Sequence, residues 1–167
     1  MAKKAVSPHV TLTRAVILEK EGKDYFQQAA LRTGNDLARR TFQALAERHT
    51  RHAERIEQIS RALEKNAPPE IEPPAAAHTL FEEIVRRIEQ STSPTAHDIT
   101  ELREAIVYST KIRDVYAHLA QTVPEEWERS LYGGLQGEEE ALKATLADTL
   151  NYLRSNFELS QLPKAEG

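Results

Sequence analysis

Glu19, His49, His52 and Glu139 carry the side-chain types, carboxylate and imidazole, that hold first-row divalent metals, and each falls where a helix stripe calls for an apolar residue. His49 and His52 belong to the series Phe42, Leu45, His49, His52, Ile56, Ile59 and Leu63, whose alternating steps of three and four mark the buried face of a helix. Glu139 interrupts Tyr132, Leu135, Leu142, Leu146, Thr149 and Leu153 at the same spacing, and Glu19 sits among Leu12, Ala15, Gly22, Phe26 and Ala29. A charge turned into a helical core costs roughly several kcal/mol unless it is paired, hydrogen-bonded or bound to a metal. Two carboxylates balance one 2+ ion, and histidines three apart share a helix face, so one divalent ion held by the four residues is the favoured chemistry. The alternative needs no ion: the histidines pair with Glu19 and Glu139 as a buried polar cluster that fixes how the helices associate.

Other polar residues read as bystanders. Glu138 and Glu140 flank Glu139 off the stripe and are expected to be solvated, while His9, His78, His97 and His118 lie off the seams or near predicted helix ends. Tyr116, Tyr132 and Phe26 sit at core spacing, which fits packing better than redox relay. A hydrolytic centre would need a positioned base or oxyanion donor, and none is found.

The elements that must position the four residues are legible from their punctuation. A first helix is predicted over about Thr11 to Arg32, closed by Thr33-Gly34-Asn35 with Gly34 as a left-handed cap, and Asp36 is expected to cap a second helix reaching about Lys65. The proline-rich stretch from Asn66 onward cannot continue a helix and reads as an extended crossover. Thr79 with Glu82 forms a capping-box pattern for a short helix, and Asp98 with Glu101 for a third long one. The seam of that helix is Leu102, Ala105, Ser109, Ile112, Tyr116, Leu119 and Val123, and it stops at Pro124. A fourth long helix follows from about Glu125 to Phe157. Within it Gly133, Gly134 and Gly137 each cost about 1 kcal/mol relative to alanine, and mark a kink, a bulge or a close helix approach.

Two short turns flanking one long crossover give an all-α, ferritin-like antiparallel four-helix bundle with an extra short helix. One domain is expected over 1–167: bundle at about 11–157, crossover 66–78, short helix at about 79–90 and tail 158–167. With 22 basic and 26 acidic residues and a net charge of -4, nucleic acid is not an expected partner. The lack of cysteine excludes thiolate metal sites, iron–sulfur clusters and disulfides. No secretory leader and no apolar run of about 18 residues is seen, so a soluble, cytoplasmic protein is expected.

The stretch from Ala15 to Ala30, AVILEKEGKDYFQQAA, followed by FQALAERHTRH from Phe42 to His52, resembles the first half of a rubrerythrin-type, ferritin-like domain. Ala105 to Tyr116 and Leu135 to Leu146 resemble its second half, and the resemblance spans about residues 12 to 155. It implies a di-iron site built from one glutamate on each of two helices and a Glu-x-x-His on each of the others. Glu19 falls on the first-helix glutamate and His52 on the second-helix histidine, with His49 where that motif has its glutamate. Ser109 stands at the third-helix glutamate, Glu139 keeps the fourth-helix glutamate, and Leu142 replaces the histidine. With two carboxylates instead of four, one metal rather than two is expected. The resemblance implies iron, with manganese or zinc as the other candidates, and a non-haem iron oxidoreductase of the oxidase or peroxidase kind, or iron handling. It further implies a homodimer and, without a cysteine-based rubredoxin module, an external electron donor for any redox activity. The reading from a different class is a metal-free structural or dimerisation bundle that has lost di-iron chemistry.

Overall fold

The computed structural model describes residues 5–67, 69–71, 80–88 and 92–162. Its elements are α1 (Pro8–Arg32), α2 (Asp36–Glu64), the short α3 (Phe81–Arg86), α4 (Ala96–Thr122) and α5 (Glu126–Ser160). Thr11 donates to Glu128 at 2.6 Å, which places the starts of α1 and α5 at one end, and Arg32 meets Glu101 at 3.0 Å, which places the end of α1 beside the start of α4. Helices α1 and α5 therefore run one way and α2 and α4 the other. The chain after α2 must travel back along a 29-residue helix, roughly 43 Å, before α4 begins. That single long crossover is the ferritin-like connectivity. Part of the crossover is α3, which packs on α2 and α5 and whose leading Leu80 N–H donates to Thr145 Oγ1 at 3.2 Å.

Helix ends differ from the expected ones by short, explicable shifts. Pro8 opens α1 at the first helical position, where its missing N–H costs nothing, so the helix starts a turn before Thr11. Gly34 is not left-handed; the α1–α2 turn is instead held from across the bundle, with Asp98 Oδ1 accepting from the N–H groups of Gly34 and Asn35 at 3.1 and 3.4 Å. Asn35 rather than Asp36 caps α2, its side chain accepting from Ala38 N–H at 3.1 Å. The box opening α4 is Thr95 with Asp98, one turn before the Asp98/Glu101 pairing expected. The left-handed cap of the molecule is Asn66, φ 54°, where Asn66 and Ala67 donate back to Leu63 and Ala62 and close α2. Thr79 lies outside the described residues, α3 is shorter than the expected 79–90, and α5 continues to Ser160, into the segment expected to be tail.

The backbones approach most closely within the hairpins α1–α2 and α4–α5; between them α2 meets α5, and α1 meets α4 through side chains, with Tyr25 stacked on Tyr108 at 3.9 Å and Arg32 on Glu101. The apolar core comes in two clusters. One gathers Phe26, Phe42, Leu45, Leu102, Leu142 and Leu146 toward the α3 end, the other Leu12, Ile56, Ile112, Tyr116, Tyr132 and Leu135 toward the opposite end. A polar layer of Glu19, His49, His52, Ser109 and Glu139 lies between them. Gly133 and Gly137 face open space inside an uninterrupted helix, so neither marks a close helix approach. No helix among the described residues is long and apolar enough to cross a membrane.

Candidate metal centre

Each seam residue predicted from spacing arrives at the same level of the bundle: Glu19 from the middle of α1, His49 and His52 from α2, Glu139 from α5. One donor atom from each lies within 4.8 Å of the others, and all four residues are buried. For comparison, ligands at ~2.1 Å around a tetrahedral ion stand ~3.4 Å apart, so the cluster is open by up to about 1.4 Å relative to such a site.

His49 is clamped on three sides. Its Nδ1 lies 2.6 Å from Glu19 Oε2, Phe26 stacks on its ring at 5.3 Å, and Gly22 leaves room for the ring to lie against α1. A Cβ on residue 22 would stand 2.9 Å from Nδ1, closer than side chains tolerate. With Nδ1 on the Glu19 carboxylate, Nε2 is the ring nitrogen turned to the interior. That Nε2 is 3.7 Å from Glu139 Oε1, beyond hydrogen-bond reach, and both atoms are buried without a partner.

His52 is oriented the other way round. Its Nε2 sits 2.6 Å from Glu138 Oε2 at the edge of the α2–α5 seam, and its Nδ1 turns inward, 3.4 Å from Glu19 Oε2, again without a hydrogen bond. Glu138 was expected to be solvated; instead the α2–α5 crossing brings it onto His52 and near Arg55, 3.6 Å from its other oxygen. Glu140 does face outward and pairs with Arg113. The outer carboxylate, histidine and inward nitrogen form the arrangement by which proteins fix a metal-binding tautomer. Tyr116 donates to Glu19 Oε1, and Ser109 donates to Glu139 Oε2 at 3.2 Å, so two hydroxyls of α4 orient the carboxylates. Tyr116 is core, as expected, and its hydroxyl also belongs to the cluster.

The electrostatics follow from these contacts. Burial pushes Glu19 up, but the His49 hydrogen bond and the nearby His49 and His52 imidazoles outweigh it and hold the carboxyl down to about 2. Burial also disfavours charged His52, yet Glu138 and Glu19 push it up to about 10. Glu139, with only Ser109 as hydrogen-bond donor, is pushed up to about 7 by burial, against the pull of His49 and with repulsion from Glu19 adding to it. Glu19 is thus satisfied as an anion, whereas Glu139 lacks a cation.

Four buried atoms of this region, His49 Nε2, His52 Nδ1, Glu139 Oε1 and, at its outer edge, Glu138 Oε2, are left without hydrogen bonds, and the first three belong to the cluster itself. Orphaned buried polar atoms are rare and costly, and here all three are metal-donor types. The donor set therefore fits one divalent ion. Leu142, at the position of the second histidine in the resemblance, packs in the apolar cluster, and Ser109 is engaged with Glu139, so a second ion would find few ligands.

His97 and His118 are exposed, as is His9, and none joins the cluster, while His78 lies outside the described residues. Sequence reasoning missed Glu138 and the seat that Gly22 provides. A signal for Glu138 existed, since Leu131, Leu135, Glu138 and Leu142 form a second stripe in steps of four and three. No known protein family, no curated protein and no solved structure matches this chain. What fold and site define is a four-helix bundle with a buried Glu/His cluster able to hold a metal.

Proposed function

We propose that this chain is a mononuclear metal-binding bundle of ferritin-like type, holding one divalent ion through Glu19, His49, His52 and Glu139. The observation that carries the reading is the convergence of three unpartnered donor atoms on the interior of a cluster otherwise oriented by hydrogen bonds. Iron is the leading candidate, because the first half of the chain resembles rubrerythrin-type proteins and two imidazoles with two carboxylates suit it; manganese and zinc fit the donors as well. Bound iron would supply one-electron redox chemistry, which makes oxidase, peroxidase or iron-handling activity the proposed class, with electrons from an outside donor and the chain working as a homodimer.

The protein's own contribution is orientation and exclusion of water. Tyr116 and Ser109 hold the carboxylates, Glu138 holds His52, Phe26 and Gly22 hold His49, and the apolar clusters on either side keep solvent out. A metal-free structural bundle is the second reading, favoured by how much of the cluster already pairs internally, Glu19 with His49 and His52 with Glu138. The unsatisfied atoms weigh against it.

Elemental analysis of protein purified without chelator or affinity nickel separates the two. About one ion per chain, lost in a His49→Ala/His52→Ala variant, is the expected result. No metal in either protein, even after anaerobic ferrous loading, would sink the metal reading. If iron is found, peroxide consumption no faster than that of free ferrous ion would remove the enzymatic part and leave metal handling.

A further inference from the structure

We infer that the divalent ion reaches the centre between α2 and α5, by way of Glu138 and His52, with Arg55 as the cation it displaces; the inference rests on the metal-binding reading above. Of the four cluster side chains, Glu19, His49 and Glu139 are 0% exposed and only His52 shows surface, at 7%. Outside His52 stands Glu138, 23% exposed, with one oxygen turned inward onto His52 Nε2 and the other 3.6 Å from the Arg55 guanidinium. Glu138 therefore spans from solvent to the cluster. Among the described residues it is also the one carboxylate paired with a cluster histidine from outside the cluster. Arg55, itself 31% exposed, supplies the positive charge that an arriving cation replaces.

The other approaches suit a hydrated cation poorly. A cleft of about 360 Å³ between α1 and α2 reaches His49 and carries Asp24, Glu54 and Glu57, but Lys20 and Lys23 stand on it too, the Lys20–Glu57 pair at 2.8 Å spans it, and His49 itself is 0% exposed there. A groove of about 610 Å³ between α1 and α4 is lined by Ile17, Leu18, Val115 and Leu119, with Arg14, Lys111, Glu21 and Asp114 beside them, and none of the four cluster residues lines it. At Glu138 a carboxylate is present at the surface, and the next donor inward is an imidazole.

Cobalt(II), followed by its visible absorption in stopped flow and released into excess chelator, tests the route on the full chain. Glu138→Gln keeps an oxygen beside His52 Nε2 but removes the charge. The expected result is association slower by about tenfold or more, the scale of electrostatic acceleration. Equilibrium affinity falls as well, because Glu138 also holds His52, so the association rate is the readout of the route. Glu138→Ala also loses the partner that orients His52, and Kd should weaken about 10- to 100-fold, as removal of an outer-shell partner does. Glu57→Gln, on the α1–α2 cleft, should change neither rate. Unchanged association in Glu138→Gln, or slowing in Glu57→Gln instead, overturns the route while leaving the centre intact. If the unaltered chain takes up no cobalt at equilibrium, the centre itself is gone and the route with it.

Discussion

Substituting alanine at Gly22 and at Gly137 should move stability in opposite directions, although both glycines lie inside long helices. In an exposed helix interior the exchange gains about 1 kcal/mol through backbone entropy and helix propensity. At Gly137 nothing lies within 4 Å of the new methyl group, so that gain should appear undiminished. At Gly22 the methyl would meet His49 Nδ1, Cε1 and Cγ at 2.9, 3.0 and 3.1 Å, several tenths of an ångström inside ordinary contact. The imidazole cannot swing aside, because Phe26 stacks on it and Glu19 holds Nδ1 at 2.6 Å. Overpacking of this kind costs about 1–3 kcal/mol, which cancels or exceeds the propensity gain. The difference between the two variants isolates the clash: about 2 kcal/mol, or roughly 6 °C in Tm for a chain of this size. Thermal and guanidinium unfolding followed by circular dichroism read it directly. Gly22→Ala matching Gly137→Ala in stability would refute the argument that this glycine exists to seat His49. Because the displaced ring carries a proposed donor, Gly22→Ala should also weaken cobalt binding, whereas Gly137→Ala should not.

Further outcomes follow from the titrating groups. In the metal-free chain, Glu19 is held at about 2 against an ordinary 4.5, so its stabilisation is present above pH 4.5 and lost as pH falls toward 2. His52 is raised from 6.5 to about 10, so its stabilisation is full below 6.5 and lost as pH rises toward 10. The penalty for ionising Glu139 grows between 4.5 and about 7. Guanidinium midpoints of metal-free protein should therefore peak at about pH 5, and a midpoint still rising from pH 7 to 9 would contradict the pairing of His52 with Glu138 and Glu19. Metal binding at pH 7 should release a proton from His52 and a fraction of one from Glu139, about 1.5 in all, read by calorimetry in buffers of different ionisation enthalpy; zero release would exclude His52 as a ligand. Glu128, buried beside Thr11 at the far end, has its carboxyl raised by burial, so Glu128→Gln should stabilise the protein above the usual carboxylate range and lose that advantage in acid; equal stability at pH 7 would show that Glu128 is adequately solvated.

The heptad-like spacing made the four seam residues readable, because a buried helix stripe is a local property and a polar residue within it is conspicuous. The same logic placed Ser109 and Tyr116 on the buried seam of α4, where both are found. Glu138 was harder to read: whether a residue one step off the seam is solvated depends on how two helices cross, which no single helix encodes. The role of Gly22 is likewise visible only once His49 arrives from another helix. Cap positions slipped where two capable residues stand together, as Asn35 and Asp36 do, or where a capping acid serves two turns, as Asp98 does by also holding the α1–α2 turn. The proposed homodimer and the proposed iron come from the resemblance, since neither is written in a local pattern.

The uneven distribution of the four donors bears on how the molecule is made. Glu19, His49 and His52 all belong to the α1–α2 hairpin, complete once Glu64 has been synthesised, whereas Glu139 comes with the last helix. Contacts within a hairpin are close in sequence and form early, while those joining the two hairpins close long loops and form late. A chain still growing would thus display three donors on an open face before the fourth can cover them. An ion captured then would be coordinated first by one half of the protein and sealed in by the other, making Glu139 the latch of a centre begun during translation.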